Sequence, residues 1–479
     1  MAHGFGQKYD LPLPLNLLIW SAGGTIIVTF VVVSAFLRET LVQGEHWQLQ
    51  LAEIDTSPAT PGNAVITALR LFAAAIFILM IVAGLFGNQD PYHNLAPTLV
   101  WVIWWVGFAF FCALFGNLWG LINPIATWFD WISAIRSAGA RRDQARRYVT
   151  YPAWLGFWPA AIILASFVWA ELIWTEKDVP MAIATAALSY AVLCWVAMCV
   201  WGRDAWLHHG EAFSVMFRLL GRFAPLTGSH ELRGSHHLSI YLRPMGVGLL
   251  DGQVMTSSFV VFVMTLLASV TFDGFLETSA YQGILTAAYS SALIEWPLFR
   301  LAALTGLEEG AVLGTFLLVL AIALFAIALF TTSWLMRVVA ARALTEQSLP
   351  SAQTIAGSFV LSLVPIAVAY HLAHYLSLLL TVGQFIIPLS SDPFGLGWDL
   401  FGTANFEVKL GIVGPRFFWY SAISAILIGH MLSVYIAHLA AIRVFGTRRA
   451  ALLSQIPMVG LMVGYTMSSL WILAQPIVG

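Results

Sequence analysis

Between Ala311 and Met336 the chain reads AVLGTFLLVLAIALFAIALFTTSWLM, twenty-six residues without a charge. Crossing about 30 Å of hydrocarbon takes about 20 helical residues. The run is too long and too evenly apolar for a barrel strand, whose faces alternate, and only a helix satisfies its own backbone hydrogen bonds in lipid. Similar runs recur over approximately 14–37, 64–87, 95–122, 152–174, 181–202, 254–272, 354–378, 416–440 and 452–476. The expected fold is therefore all-α, a polytopic transmembrane bundle of about ten helices forming one membrane domain over 1–479. Composition agrees: 59% of the 479 residues are hydrophobic and 10% charged, where a soluble domain carries roughly a quarter charged residues.

Arginine sets the orientation. Arg136, Arg141, Arg142, Arg146 and Arg147 follow the third run, and Arg203, Arg218, Arg222, Arg233 and Arg243 follow the fifth. Those links are expected in the cytoplasm, as in a bacterial inner membrane. Alternation then puts Arg337, Arg342, Arg443, Arg448 and Arg449 on the same side. Lys8, Lys177, Lys409 and both termini fall outside, with thirteen N-terminal residues leading into the first helix. That leader has neither a charged region before the apolar run nor a cleavage site after it, so the first helix is expected to stay as an anchor. An eleventh apolar stretch, 283–304, contains Glu295, Pro297 and Arg300, which are costly against lipid, and a crossing there would invert every later arginine. It is expected to be a re-entrant or surface helix on the outer side.

Two links are long. The outer segment 381–414, with Pro388, Asp392, Pro393 and Asp399, is expected to form a cap. The cytoplasmic link 203–253 opens with an amphipathic stretch, Trp206 to Phe223, suited to a membrane surface. Gly23-Gly24, Gly116-Asn117, Asn123-Pro124 and Pro365 are candidate unwinding points. Five helices followed by five would place two halves in inverted orientation, a layout transporters use, although no repeat is visible. Cys112, Cys194 and Cys199 lie in apolar runs and are expected to behave as small hydrophobes rather than as a disulfide set. The sequence contains no P-loop or dinucleotide fingerprint, which argues against ATP-driven transport by this chain alone.

The strongest chemical signal is Tyr370-His371-Leu372-Ala373-His374-Tyr375. Spacing of three puts His371 and His374 on one helix face near the outer interface, a spacing that suits two ligands of one divalent transition metal, zinc or copper. His430 in the ninth run lies deeper and is a further candidate, as a metal ligand or with haem; His438 lies near the inner interface. Among the outer carboxylates Glu171, Asp273, Glu277, Glu295, Asp392 and Asp399, Glu295 stands in the most apolar local context and is the expected acid or base, with an ion pair to Arg300 as its bland alternative. His3 beside the amino terminus is a candidate copper ligand, and His93 next to Asp90 another outer one. His208, His209, His230, His236 and His237 sit in a polar cytoplasmic link without the spacing of a zinc site.

The opening Ala2-His3-Gly4-Phe5-Gly6-Gln7-Lys8-Tyr9-Asp10-Leu11-Pro12-Leu13-Pro14-Leu15 resembles bacterial membrane proteins labelled fenitrothion hydrolase, and helix count and length look like that family across the chain. The resemblance implies hydrolysis of an organophosphorus ester, a small apolar substrate, by a membrane-bound enzyme; it carries over no catalytic residues. A metal held by His371, His374 and Glu295 would suit that chemistry. A carrier or channel for a metal ion or small solute, with histidines along its path, and a haem- or copper-binding electron-transfer subunit working with other membrane subunits are the competing expectations.

Overall fold

The computed structural model describes residues 14–36, 47–57, 60–139, 148–230, 237–250, 252–344 and 349–475. Fifteen helices are numbered here: α1 (Leu15–Phe36), α2 (Pro61–Phe86), α3 (Leu95–Phe115), α4 (Pro124–Gly139), α5 (Trp158–Leu172), α6 (Pro180–Trp201), α7 (Arg203–His209), α8 (Ala212–Phe223), α9 (Ser257–Leu276), α10 (Ser279–Ser290), α11 (Ala292–Thr305), α12 (Glu309–Ala340), α13 (Ala352–Ser391), α14 (Pro415–Phe445) and α15 (Arg448–Leu473). Among the described residues nine of them, α1, α2, α3, α6, α9, α12, α13, α14 and α15, are long and apolar enough to cross a membrane. The chain is an all-α, multi-pass helical bundle. The expected fourth span is the shorter α5, of 15 residues; Gly156 takes a positive φ of 44° just before it and Tyr151 donates to the Gly156 carbonyl at 2.7 Å.

Hydrogen bonds between links sort into two ends. At the arginine-rich end Arg70 Nε donates to the Leu121 carbonyl at 2.8 Å, Arg203 pairs with Asp130 at 2.9 Å, the Phe157 amide donates to Ser258 Oγ at 3.0 Å and Gln353 to Ser257 Oγ at 2.6 Å. At the other end the Asn88 amide donates to the Phe394 carbonyl at 2.8 Å, Trp101 Nε1 to the Lys177 carbonyl at 2.9 Å and the Met181 amide to Gln89 Oε1 at 3.0 Å. Each pairing joins links that strict alternation puts on the same side.

Three features depart from expectation. The third run ends at Phe115, where Gly116 turns with φ 94°; there a Cβ would press on the Leu226 carbonyl. A single turn follows, and Asn123 then caps α4 by accepting from the Ile125 and Ala126 amides. The amphipathic stretch from Trp206 does not lie flat on a surface: α8 folds into the bundle against α3, α5 and α13, with Phe213, Met216, Phe217 and Leu219 all buried. Its first turn is capped by Glu211, fully buried, which accepts from the Phe213 and Ser214 amides at 3.1 and 2.6 Å and from the Tyr190 hydroxyl. A burial that deep needs those donors, because an unpaired carboxylate in low dielectric costs several kcal/mol. The third departure is a small antiparallel sheet at the arginine-rich end, β1 (Leu49–Asp55), β2 (Leu226–His230) and β3 (His237–Leu242), in the order β1-β3-β2. Alternation in Leu238, Ile240 and Leu242 is the strand signal.

The stretch expected as one surface or re-entrant helix, 283–304, forms two short helices, α10 and α11, whose Leu293, Trp296, Phe299 and Leu304 are exposed. In the 381–414 segment α13 continues to Ser391, and Asp392 then organises the loop by accepting from the Leu396, Gly397 and Trp398 amides. Of the three cysteines, Cys112 and Cys194 are buried and Cys199 is exposed.

The tightest seam joins α13 to α14. Pro365 has no N–H to give the preceding turn, which tightens to a 3-10 geometry over Val360–Leu363. Ser433 of α14 takes up the Ser362 carbonyl at 2.5 Å. Gly429 lies flat against Ala369 and the Pro365 carbonyl, where any Cβ would collide. Gly429→Leu is expected to cost on the order of 1–3 kcal/mol through overpacking and to lower the unfolding midpoint of detergent-solubilised protein, read by size exclusion after a temperature ramp. Gly460→Leu, at an open position on α15, should leave the midpoint unchanged.

Candidate functional site

Helix α9 carries a single ionisable side chain, Asp273, one turn from its end. Its carboxylate is 3% exposed and accepts two hydrogen bonds on the same oxygen, Oδ2: His374 Nε2 at 2.9 Å and the Tyr375 hydroxyl at 2.6 Å. Both partners come from α13, downstream of the Pro365 turn, where helical spacing sets adjacent residues against one acceptor. The pairing explains how a carboxylate persists inside an apolar helix: charge-assisted hydrogen bonds replace the water it has lost. Gly274, the next residue of α9, makes room for Ile472 of α15, which a Cβ there would meet at 2.8 Å, and lies beside the Tyr370 hydroxyl and the His374 ring. Glu171, near the end of α5, lies close enough to act electrostatically on Tyr375.

His371 faces elsewhere. Its ring lies edge-on to Phe110 at 5.1 Å and to Trp105 at 5.9 Å, and its buried Nε2 has no protein partner. It lines a narrow apolar recess with Trp105, Phe110, Met216, Leu220, Val270 and Val368. Two unusual elements build that recess. Trp105 sits in the widened π-helical stretch Thr98–Phe108 of α3, a geometry that often accompanies function, and Met216 and Leu220 come from the inserted α8. Tyr375 bridges the two environments, its ring centroid 4.7 Å from both His371 and His374.

The expected pair of imidazoles thus takes separate partners: His374 a carboxylate, His371 the wall of the recess. Among the described residues no group of three or more His, Cys, Asp or Glu side chains is placed to hold a metal ion. Glu295, the expected acid or base, is exposed on α11, and the Arg300 guanidinium stacks over Trp296 at 5.0 Å. His430 anchors Nδ1 on the Ile426 carbonyl at 2.8 Å and turns its ring towards Tyr465, centroids 6.0 Å apart. His438 pairs with Gln455 at 3.2 Å. His3 lies outside the described residues. His93 pairs with Asp90 at 3.0 Å in an exposed turn, where the Tyr92 amide and then His93 hold the Asp90 carboxyl below its ordinary range. His237 reaches Glu53 at 3.3 Å across the sheet.

Asp273 stood among the outer carboxylates but ranked below Glu295, because local apolarity was weighed and depth was not. The sharper signal was a lone acid inside a full-length span. Glu211 carried no such mark, since it precedes its helix in a polar link. No family model matches the chain, nor does any curated protein or solved structure.

If His374 and Tyr375 act on Asp273 as one unit, their removals will not add. Tyr375→Phe should cost on the order of 1–3 kcal/mol by stripping a donor from a buried charge. Asp273→Ala should cost more, and Tyr375→Phe added to Asp273→Ala should cost almost nothing further, measured as unfolding midpoints of the three variants in one detergent.

Proposed function

We propose that this protein is a proton-linked carrier of a small solute, with Asp273 and His374 as the proton-exchanging pair and the recess beside His371 as the solute site. The observation that carries this reading is the buried Asp273–His374–Tyr375 cluster inside the helical bundle. Ionisable groups in a span mark ion or proton pathways because nothing else justifies the desolvation they suffer. A shared proton between carboxylate and imidazole can be taken up or given away without leaving a bare charge in hydrocarbon. Tyr375 touches both the pair and His371, so a solute that turns Tyr375 or His371 alters the hydrogen bonding of Asp273. The recess favours a mostly apolar body with one polar group able to bond His371 Nε2. The lipid bilayer is the partner that the nine apolar helices call for.

A second reading, favoured by the orientation of His374 on a carboxylate, is hydrolysis of an apolar ester such as an organophosphorus triester. In it Asp273 fixes the imidazole and His374 acts as general base toward a water molecule, close to the end of α9 where His374 retains slight access. Zinc or copper would add a Lewis acid, but the described side chains bring no third ligand to the pair.

Proteoliposomes with a trapped pH dye separate the two. Under the carrier reading, adding a transported solute to one side moves the dye signal without forming product. Asp273→Asn abolishes the movement, and Asp399→Asn, in the outer loop, preserves it. Release of nitrophenol from a nitrophenyl ester by the same vesicles, lost in His374→Gln, would replace the carrier with the hydrolase.

A further inference from the structure

Below the Asp273 pair, the seams between α9, α13, α14 and α15 hold a second set of polar groups that the proposed site does not use. The Tyr370 hydroxyl, beside Gly274 and the His374 ring, is buried and has no protein partner. Its ring stands 6.2 Å from that of Tyr465, whose hydroxyl is bonded to Thr271 of α9 at 2.9 Å. Tyr465 in turn stands 6.0 Å from His430, whose Nε2 is likewise buried and unpartnered. Buried polar atoms left without protein partners are ordinarily satisfied by internal water, and here the two residues that carry them both pack their rings near that of Tyr465.

Helices α14 and α15 run antiparallel. His430 meets Tyr465, one turn further Ser433 meets Met462, and further again His438 meets Gln455. Two polar pairs are therefore separated by a level where the Ser433 hydroxyl is spent on the Ser362 carbonyl and the sulfur of Met462, a residue 1% exposed. Met458, equally buried, lies on the far side of that level.

We infer that Tyr370, Tyr465 and His430, joined by internal water, form a proton relay leading from the Asp273–His374 pair to mid-membrane, and that Met462 is the plug that closes it. The inference rests on Asp273–His374 as the proton-exchanging pair and adds the limb along which its proton moves inward as far as the plug. Each hop moves one proton and no electrons: Tyr370 accepts one on its oxygen and releases its own to water, Tyr465 repeats the exchange, and His430 ends as an imidazolium whose Nδ1–H stays on the Ile426 carbonyl. A sealed end is what a coupled carrier requires, since an open wire would dissipate the gradient.

The test opens the plug. In proteoliposomes with trapped pyranine and a valinomycin-imposed potassium potential, Met462→Ser is expected to raise proton leak on the order of ten-fold over wild type by wetting an apolar constriction, while Met462→Leu, similar in volume, is not. Adding Tyr370→Phe or His430→Gln to Met462→Ser should return the leak to the wild-type rate. A Met462→Ser leak that survives both additions places the water elsewhere and overturns the relay, as does the absence of any excess leak over Met462→Leu. The two proposals fail separately. A leak that depends on Tyr370 and His430 in a protein whose Asp273→Asn variant still couples solute to protons leaves the relay standing and removes the assigned exchange pair.

Discussion

Backbone polar groups in hydrocarbon have no water to turn to, and at several breaks in this bundle another group has taken over that duty. The 3-10 turn before Pro365 leaves the Ser362 carbonyl to Ser433. The end of the third run gives the Leu121 carbonyl to Arg70, and Asn123 receives the amides that open α4. Glu211 does the same for α8. The arginines of the long link serve equally: Arg218 binds the His208 carbonyl, Arg222 that of Gly248, and Arg243 those of Gly221, Arg222 and Ala224. Burial pushes the Arg243 guanidinium below its ordinary value, yet a guanidinium stays charged under such conditions. The residues that orient the chain in the membrane thus also close the exposed carbonyls at helix ends.

This double use explains what was legible in the sequence. Long apolar runs and the sidedness of arginine depend on composition alone, and they led to the bundle and to the pairing of its links. Gly116-Asn117, Asn123-Pro124 and Pro365 were visible as breaks because glycine and proline act locally. The insertion of α8 was not visible. Its amphipathic pattern fits a membrane surface or a protein interior equally well, and the choice rests with Glu211, whose donors Tyr190 and Ser214 sit on two different helices. The sheet was missed for a similar reason, since its first strand finds its partner far along the chain.

The site was half legible. Spacing on one helix brought His371 and His374 to attention, yet spacing fixes only which face a side chain leaves from, not what meets it. Asp273 arrives from α9 and draws one imidazole away, while α3 and α8 wall in the other. A cluster written across three or four helices leaves only its most unusual members in the sequence, here a histidine pair and a lone acid. His430 was noticed too, but its neighbour Tyr465 could be assigned only once the antiparallel register of α14 and α15 was known.

The strand pairing of Leu49–Asp55 with His237–Leu242 has a consequence for biosynthesis. Its first strand leaves the ribosome long before the second, and α1 packs mainly against α14 and α15, which lie far along the chain. Helix α1 must therefore wait in the bilayer until α14 and α15 have been inserted. Assembly of this protein is governed by contacts of high sequence separation, which form slowly, and a chain stalled before α14 would keep α1 loose in lipid.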